Sequence, residues 1–199
     1  MNEEFREILD QAQRLRYPYD YIRVLAYVAS RILGGAAEIR ILWDLATAYY
    51  TSGFYRTPVA DIYSPKLAKN PKILMNLGFK QYEITKRNVL WRLNEMAMFI
   101  KLSQPSLTYQ FIEVEIAGDK VQVISIEDVL AYHLKELINQ QSKDSYVKAV
   151  MMYIAQKNRI SKEKLEKALN RIGIHEAMEV NLNKLNQFFQ RSPSRSNDR

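Results

Sequence analysis

Residues 38–65 read EIRILWDLATAYYTSGFYRTPVADIYSP, and the fold turns on them. Residues 38–42 alternate weakly, with Ile39, Ile41 and Leu42 apolar, and fit a buried strand. Asp44 is placed to cap a helix over Leu45 to Thr51, which Ser52-Gly53 ends. Val59 to Tyr63 is a second apolar run, interrupted only by Asp61 and closed by Ser64-Pro65. The stretch therefore predicts strand, turn, short helix, glycine-containing loop and a strand that carries one carboxylate. A single acid at a strand tip is the residue type that metal-and-phosphate chemistry uses.

The bulk composition narrows the field. A chain of 199 residues with 47% hydrophobic content fits one domain, or one domain with a helical appendage. No run approaches the ~20 apolar residues of a membrane span, so no membrane partner is expected. MNEEFREILDQ at the start is acidic and amphipathic, unlike a signal peptide. Zero cysteines and two histidines, His133 and His175, leave nothing for disulfides and little for a zinc cage. The expected compartment is cytoplasmic.

The net charge of +7 is uneven. Between Lys66 and Lys101 eight cations face only Glu83 and Glu95, a local balance of +6. Such a segment suits RNA, DNA or a polyphosphate, with Lys80, Lys86, Arg87 and Arg92 as the contact residues. A solvated lysine-rich surface explains the same charges, since no aromatic-basic repeat accompanies them in the sequence.

Outward from the opening stretch, residues 3–16 and 19–33 carry helical stripes separated by Tyr17-Pro18 and stopped by Gly34-Gly35. A helix is expected over Lys66 to Leu77, with Asn70-Pro71 as a point where it splits. Three strand-like segments follow, Phe79 to Ile84, Asn88 to Leu93 and Met96 to Leu102. Phe111 to Ile116 and Val121 to Ile126 alternate around Ala117-Gly118-Asp119-Lys120, a hairpin turn. Ser125 starts a helix with Asp128 at the capping-box position. Helices are expected again over Asp144 to Gln156, from Ser161 to Gly173, and over 174–190. The tail QRSPSRSNDR is polar and expected to be disordered. This order predicts an α+β fold: N-terminal helices over 1–37, an α/β core over 38–126, a helical part over 127–190 and a tail over 191–199.

Tyr50-Thr51-Ser52-Gly53-Phe54-Tyr55-Arg56-Thr57 followed by Asp61 resembles the minimal nucleotidyltransferases of the DNA polymerase beta superfamily, in the abortive-infection toxin group. Ser125, Glu127, Asp128, Lys135, Lys143 and Asp144 continue the resemblance in the downstream half. It spans roughly 38–173 and implies a nucleotidyltransferase-like mixed sheet. It further implies Asp61 as a catalytic magnesium ligand, with Arg56, Thr57, Lys135 and Asp144 near a nucleotide or its phosphates. Phosphoryl chemistry of this kind is mostly positioning and charge neutralisation by two metal ions.

The chain departs from that pattern at the points that bind metal and phosphate. The family's Gly-Gly falls on Trp43-Asp44, and its Asp-x-Asp has become Asp61-Ile62-Tyr63. Met96 to Ile100, where a third acid belongs, has none; Glu95 borders it, and Glu113 and Glu115 read as solvated. Arg56 is equally placed to pair with Asp61 or Asp44, and Lys135 and Asp144 to form a surface pair. His133 reads as a structural histidine. Tyr49, Tyr50, Phe54, Tyr55 and Tyr63 cluster around the expected cleft. The resulting reading is a catalytically degenerate, toxin-antitoxin-like pseudoenzyme that binds nucleic acid or protein and needs no cofactor. Its alternatives are an active magnesium-dependent transferase acting on RNA or protein, and a purely structural complex subunit.

Overall fold

The computed structural model describes residues 39–174, apart from 56, 58, 77–78, 85–87, 94–97, 106–107 and 117–118. The expected N-terminal helices, the helix after Ile174, the tail, Arg56, Lys86, Arg87 and Glu95 lie outside the described residues.

Strand β1 is only Arg40–Ile41, because the chain turns into helix α1, Trp43–Tyr50, two residues later. Trp43 sits at φ +34, the left-handed region that favours glycine. The helix begins one residue before Asp44, which lies in the first turn rather than at the cap; Leu42 is the N-cap and supplies no side-chain bond. This corrects the capping role expected of Asp44. Ser52 and Gly53, at φ +50 and +80, end the helix. β2 is Val59–Tyr63, as its apolar run predicts.

Ser64 then caps α2, Pro65–Lys69, by accepting from Leu67 N at 3.3 Å. Asn70-Pro71 divides the next segment, and α3 is Lys72–Asn76. β3 (Lys80–Ile84), β4 (Asn88–Leu93) and β5 (Met98–Ser103) follow. β6 (Phe111–Ile116) and β7 (Asp119–Ile124) form the expected hairpin. The rest is helical: α4 (Ile126–Gln140), α5 (Lys143–Gln156) and α6 (Lys162–Arg171). Each starts at a serine, Ser125, Ser142 or Ser161, whose hydroxyl accepts from the amide three residues on.

Among the described residues the strands make one mixed sheet in the order β3-β4-β5-β2-β1-β7-β6. β2 runs parallel to β5, and β1 parallel to β7; the other neighbours are antiparallel. The fold is α+β, a seven-stranded mixed sheet with helices. The main core joins Ile41, Leu45, Ile62, Trp91, Ile100 and Val123 from across the sheet and α1. A second cluster, with Leu130, Leu134, Ala149 and Leu169, ties α4 to α5 and α6. No helix among the described residues is long and apolar enough to cross a membrane.

Candidate functional site

β2 and β5 decide what Asp61 can do. Their parallel register sets Asp61 directly opposite Lys101, and Val59 opposite Phe99. Alternate residues of a strand share a face, so Asp61, Lys101 and Phe99 all look the same way. The Lys101 ammonium stands 3.2 Å from Asp61 Oδ1, and the Ser103 hydroxyl donates to that oxygen at 3.1 Å. Asp61 is 3% exposed. Burial pushes its carboxyl up to about 6, with Asp44 adding to the effect and Lys101 and Ser103 opposing it.

A cleft of about 200 Å³ opens above this pair. Among the described residues, Asp44, Asp61, Glu136 and Asp144 line it together with two cations, Lys101 and Lys148. Lys148, 7% exposed, bridges the two sides: its ammonium meets Asp44 Oδ1 at 2.9 Å and Asp144 one helical turn away. Burial opposes that charge, yet the bonds to Asp144 and Asp44 hold its pKa above the ordinary lysine value. Tyr55 donates to Asp44 from the other side at 3.3 Å.

Trp43 and Tyr132 supply the aromatic wall, stacked with centroids 4.0 Å apart. The indole thus fills space that glycines at this position would leave open. The expected aromatic cluster is differently placed. Tyr50 is buried and donates to Ile124 O at 2.7 Å, Phe54 is 84% exposed, and Tyr49, Tyr55 and Tyr63 also lie outside the lining.

His133 is a structural residue, as expected, and more deeply buried than its place at the edge of an apolar stripe indicates. It is 1% exposed, with Nε2 2.7 Å from Thr47 Oγ1. Thr47 also donates to Trp43 O at 2.9 Å, which makes His133 Nε2 the donor in their bond. Burial depresses its pKa to about 4.

The remaining expected site residues scatter. Thr57 is buried where the chain enters β2, its hydroxyl accepting from Val59 N at 3.1 Å. Lys135 is half-buried on α4, outside the cleft lining. Asp144 reaches the cleft, but its partner is Lys148 on its own helix. Glu113 is solvated and pairs with Lys120 at 2.9 Å. Lys101 and Lys148 are the site residues that sequence reading missed. Both owe their roles to partners 40 and 104 positions away, which no local spacing reveals.

Magnesium fits this donor set poorly. The position opposite Asp61 carries an ammonium instead of a carboxylate, and Tyr63 follows two residues on. Among the described residues no three metal-capable side chains converge.

The same sheet face continues past Lys101 to a second surface. Phe99 pairs with Arg92 on β4, and Arg92 with Lys80 on β3. The Arg92 guanidinium lies 5.6 Å from the Phe99 ring centroid. Tyr82, 61% exposed, meets Phe99 edge-on at 5.6 Å. Basic and aromatic side chains do interleave here, across three strands rather than along the sequence.

The seven-stranded mixed sheet with its helices is a nucleotidyltransferase-like fold. Three solved structures share it. The solution structure of antibiotic-resistance factor ANT(2'')-Ia superposes with a TM-score of 0.53 at 15% identity, over 83% of this chain and 97% of that one. The crystal structure of ANT(2'')-Ia in complex with adenylyl-2''-tobramycin gives 0.51 at 14%, over 74% and 95%. An antigenic nucleotidyltransferase-like protein from Paracoccidioides brasiliensis gives 0.54 at 15%, over 85% and 91%. No family model and no curated protein matches the sequence.

Proposed function

We propose that this chain is a nucleotidyltransferase-fold protein that has given up metal-dependent transfer and serves as a binding module for nucleic acid or protein. The observation that carries the reading is Lys101, set opposite Asp61 by strand register and 3.2 Å from its carboxylate. In-line displacement at a phosphorus needs divalent ions to neutralise both the attacking and the leaving oxygen. A tethered ammonium neutralises Asp61 but presents no open coordination positions. The rest of the cleft points the same way. Among the described residues four carboxylates outnumber two lysines, and both lysines are already engaged, so these side chains repel a triphosphate.

Calorimetry and thermal shift with ATP or CTP, each with and without magnesium, test this. The expected outcome is no magnesium-dependent binding and no shift. Joint tightening by nucleotide and magnesium that Asp61→Ala abolishes would establish an active transferase instead.

A further inference from the structure

We infer that the β3–β4–β5 end of the cleft face is a platform for single-stranded nucleic acid, with Tyr82 as its stacking surface and Lys80 and Arg92 as its cations. The inference names a partner for the binding-module reading and rests on it.

Three observations carry it. Tyr82 is a large aromatic left 61% exposed, and its contact with Phe99 is edge-on, so no neighbouring ring among the described residues stacks on it. It falls where the β3–β4 register shifts, between Gln81 and Glu83, on a strand at the sheet edge. Bulges at sheet edges re-aim side chains, and this residue has no β4 partner directly across from it. Lys80 and Arg92 are opposite one another on that face, and neither makes an ion pair with a described carboxylate. Arg92 is held over Phe99 instead, which fixes its position without cancelling its charge.

The chemistry selects the ligand. An aromatic face stacks any base, because every base has a π-face, while nearby cations track the phosphates. Stacking on an exposed ring needs a base whose face is free, which an unpaired strand offers and a closed duplex does not. The acidic cleft beyond Lys101 bounds the platform on one side and repels a polyanion from the Asp61 end.

The test is fluorescence anisotropy of the full chain in EDTA and low salt. The probes are labelled oligothymidylate and oligouridylate of about 15 nucleotides. A duplex of the same length and polyglutamate serve as competitors. Both single strands are expected to bind, and any preference between them reports whether the natural ligand is RNA or DNA. Tyr82→Ala should weaken binding about tenfold or more while Tyr82→Phe retains it. Lys80→Gln should reduce the slope of log affinity against log salt by about 0.7. Equal competition by duplex or polyglutamate, no binding by the wild-type chain, or indifference to Tyr82→Ala would each overturn the inference. Because EDTA removes divalent ions, failure here is distinct from failure of the binding-module reading, which would register as magnesium-dependent nucleotide binding.

Discussion

Asp61 and His133 are buried within one cleft and titrate in opposite senses. Asp61 has a folded pKa of about 6 against an ordinary 3.8, so its protonated form favours the fold. That contribution is complete at low pH and is lost as pH rises through about 6. His133 has a folded pKa of about 4 against 6.5, so its neutral form favours the fold. Its contribution is complete above 6.5 and is lost as pH falls through about 4. Between these limits the two slopes oppose each other, about one proton each. Urea midpoints of the wild-type chain should therefore change little between pH 4.5 and 6, apart from the background of other carboxylates. Asp61→Asn removes one slope and exposes the other: the variant should lose about 2 kcal/mol on acidification from pH 6.5 to 4.5 relative to wild type. Parallel profiles for the two proteins would contradict the assignment.

Trp43 shows how a residue can be retained against its own backbone. A non-glycine at φ +34 costs on the order of 1 kcal/mol. Its ring recovers more by stacking on Tyr132 and meeting Tyr109 edge-on at 5.1 Å; buried aromatics contribute about 3–5 kcal/mol. The chain path of the turn after β1 is thus compatible with a side chain that fills it.

At the scale of elements, α4 is the anchor. Ser125 caps it, and Asp128 in its first turn accepts from Gln110 N at 2.8 Å and from the Ser125 hydroxyl at 2.9 Å. The other Asp128 oxygen takes a 2.6 Å bond from Arg171 at the end of α6. Asp128 is 1% exposed and Arg171 about a quarter exposed. Removing the arginine leaves a buried carboxylate short of its counter-charge. Arg171→Met should lower stability by about 2 kcal/mol, discounted from the cost for fully buried pairs because the arginine reaches solvent. Chemical denaturation measures it, and a loss below about 0.5 kcal/mol would place the pair among ordinary surface bridges.

Elements of this kind were largely legible in the sequence. Val59–Tyr63 announces itself as an apolar run between punctuating residues, Asn70-Pro71 as a break, and Ser125 and Ser161 as caps, because each signal is local. What local signals cannot carry is register. Lys101 opposite Asp61 follows from a parallel pairing, and Tyr82, Phe99 and Arg92 meet only once three strands are aligned. Asp44 looked like a cap because its partner, Lys148, comes from α5. The candidate site was thus visible as a place, while its electrostatics depended on contacts between distant segments.

For the whole molecule, the net +7 conceals a division of labour. One end of the cleft face gathers carboxylates around two engaged lysines, and the other presents cations beside an exposed ring. A polyanion approaching such a surface is steered by the local field rather than by the total charge.

Strand β1 has a mechanical consequence. Among the described residues, the two residues of β1, each paired on both sides, are the only strand residues linking β2, β5, β4 and β3 to β7 and β6. The sheet is therefore two plates riveted by a dipeptide, with α1 packed on both β2 and β7 as a splint across the joint. Pulled across its width, this protein should part first along Arg40–Ile41, and hydrogen exchange should find those amides opening before the longer β4–β5 and β6–β7 ladders. The tear line runs beside Asp61, so the residue that names the cleft also sits at the weakest seam of the sheet that holds it.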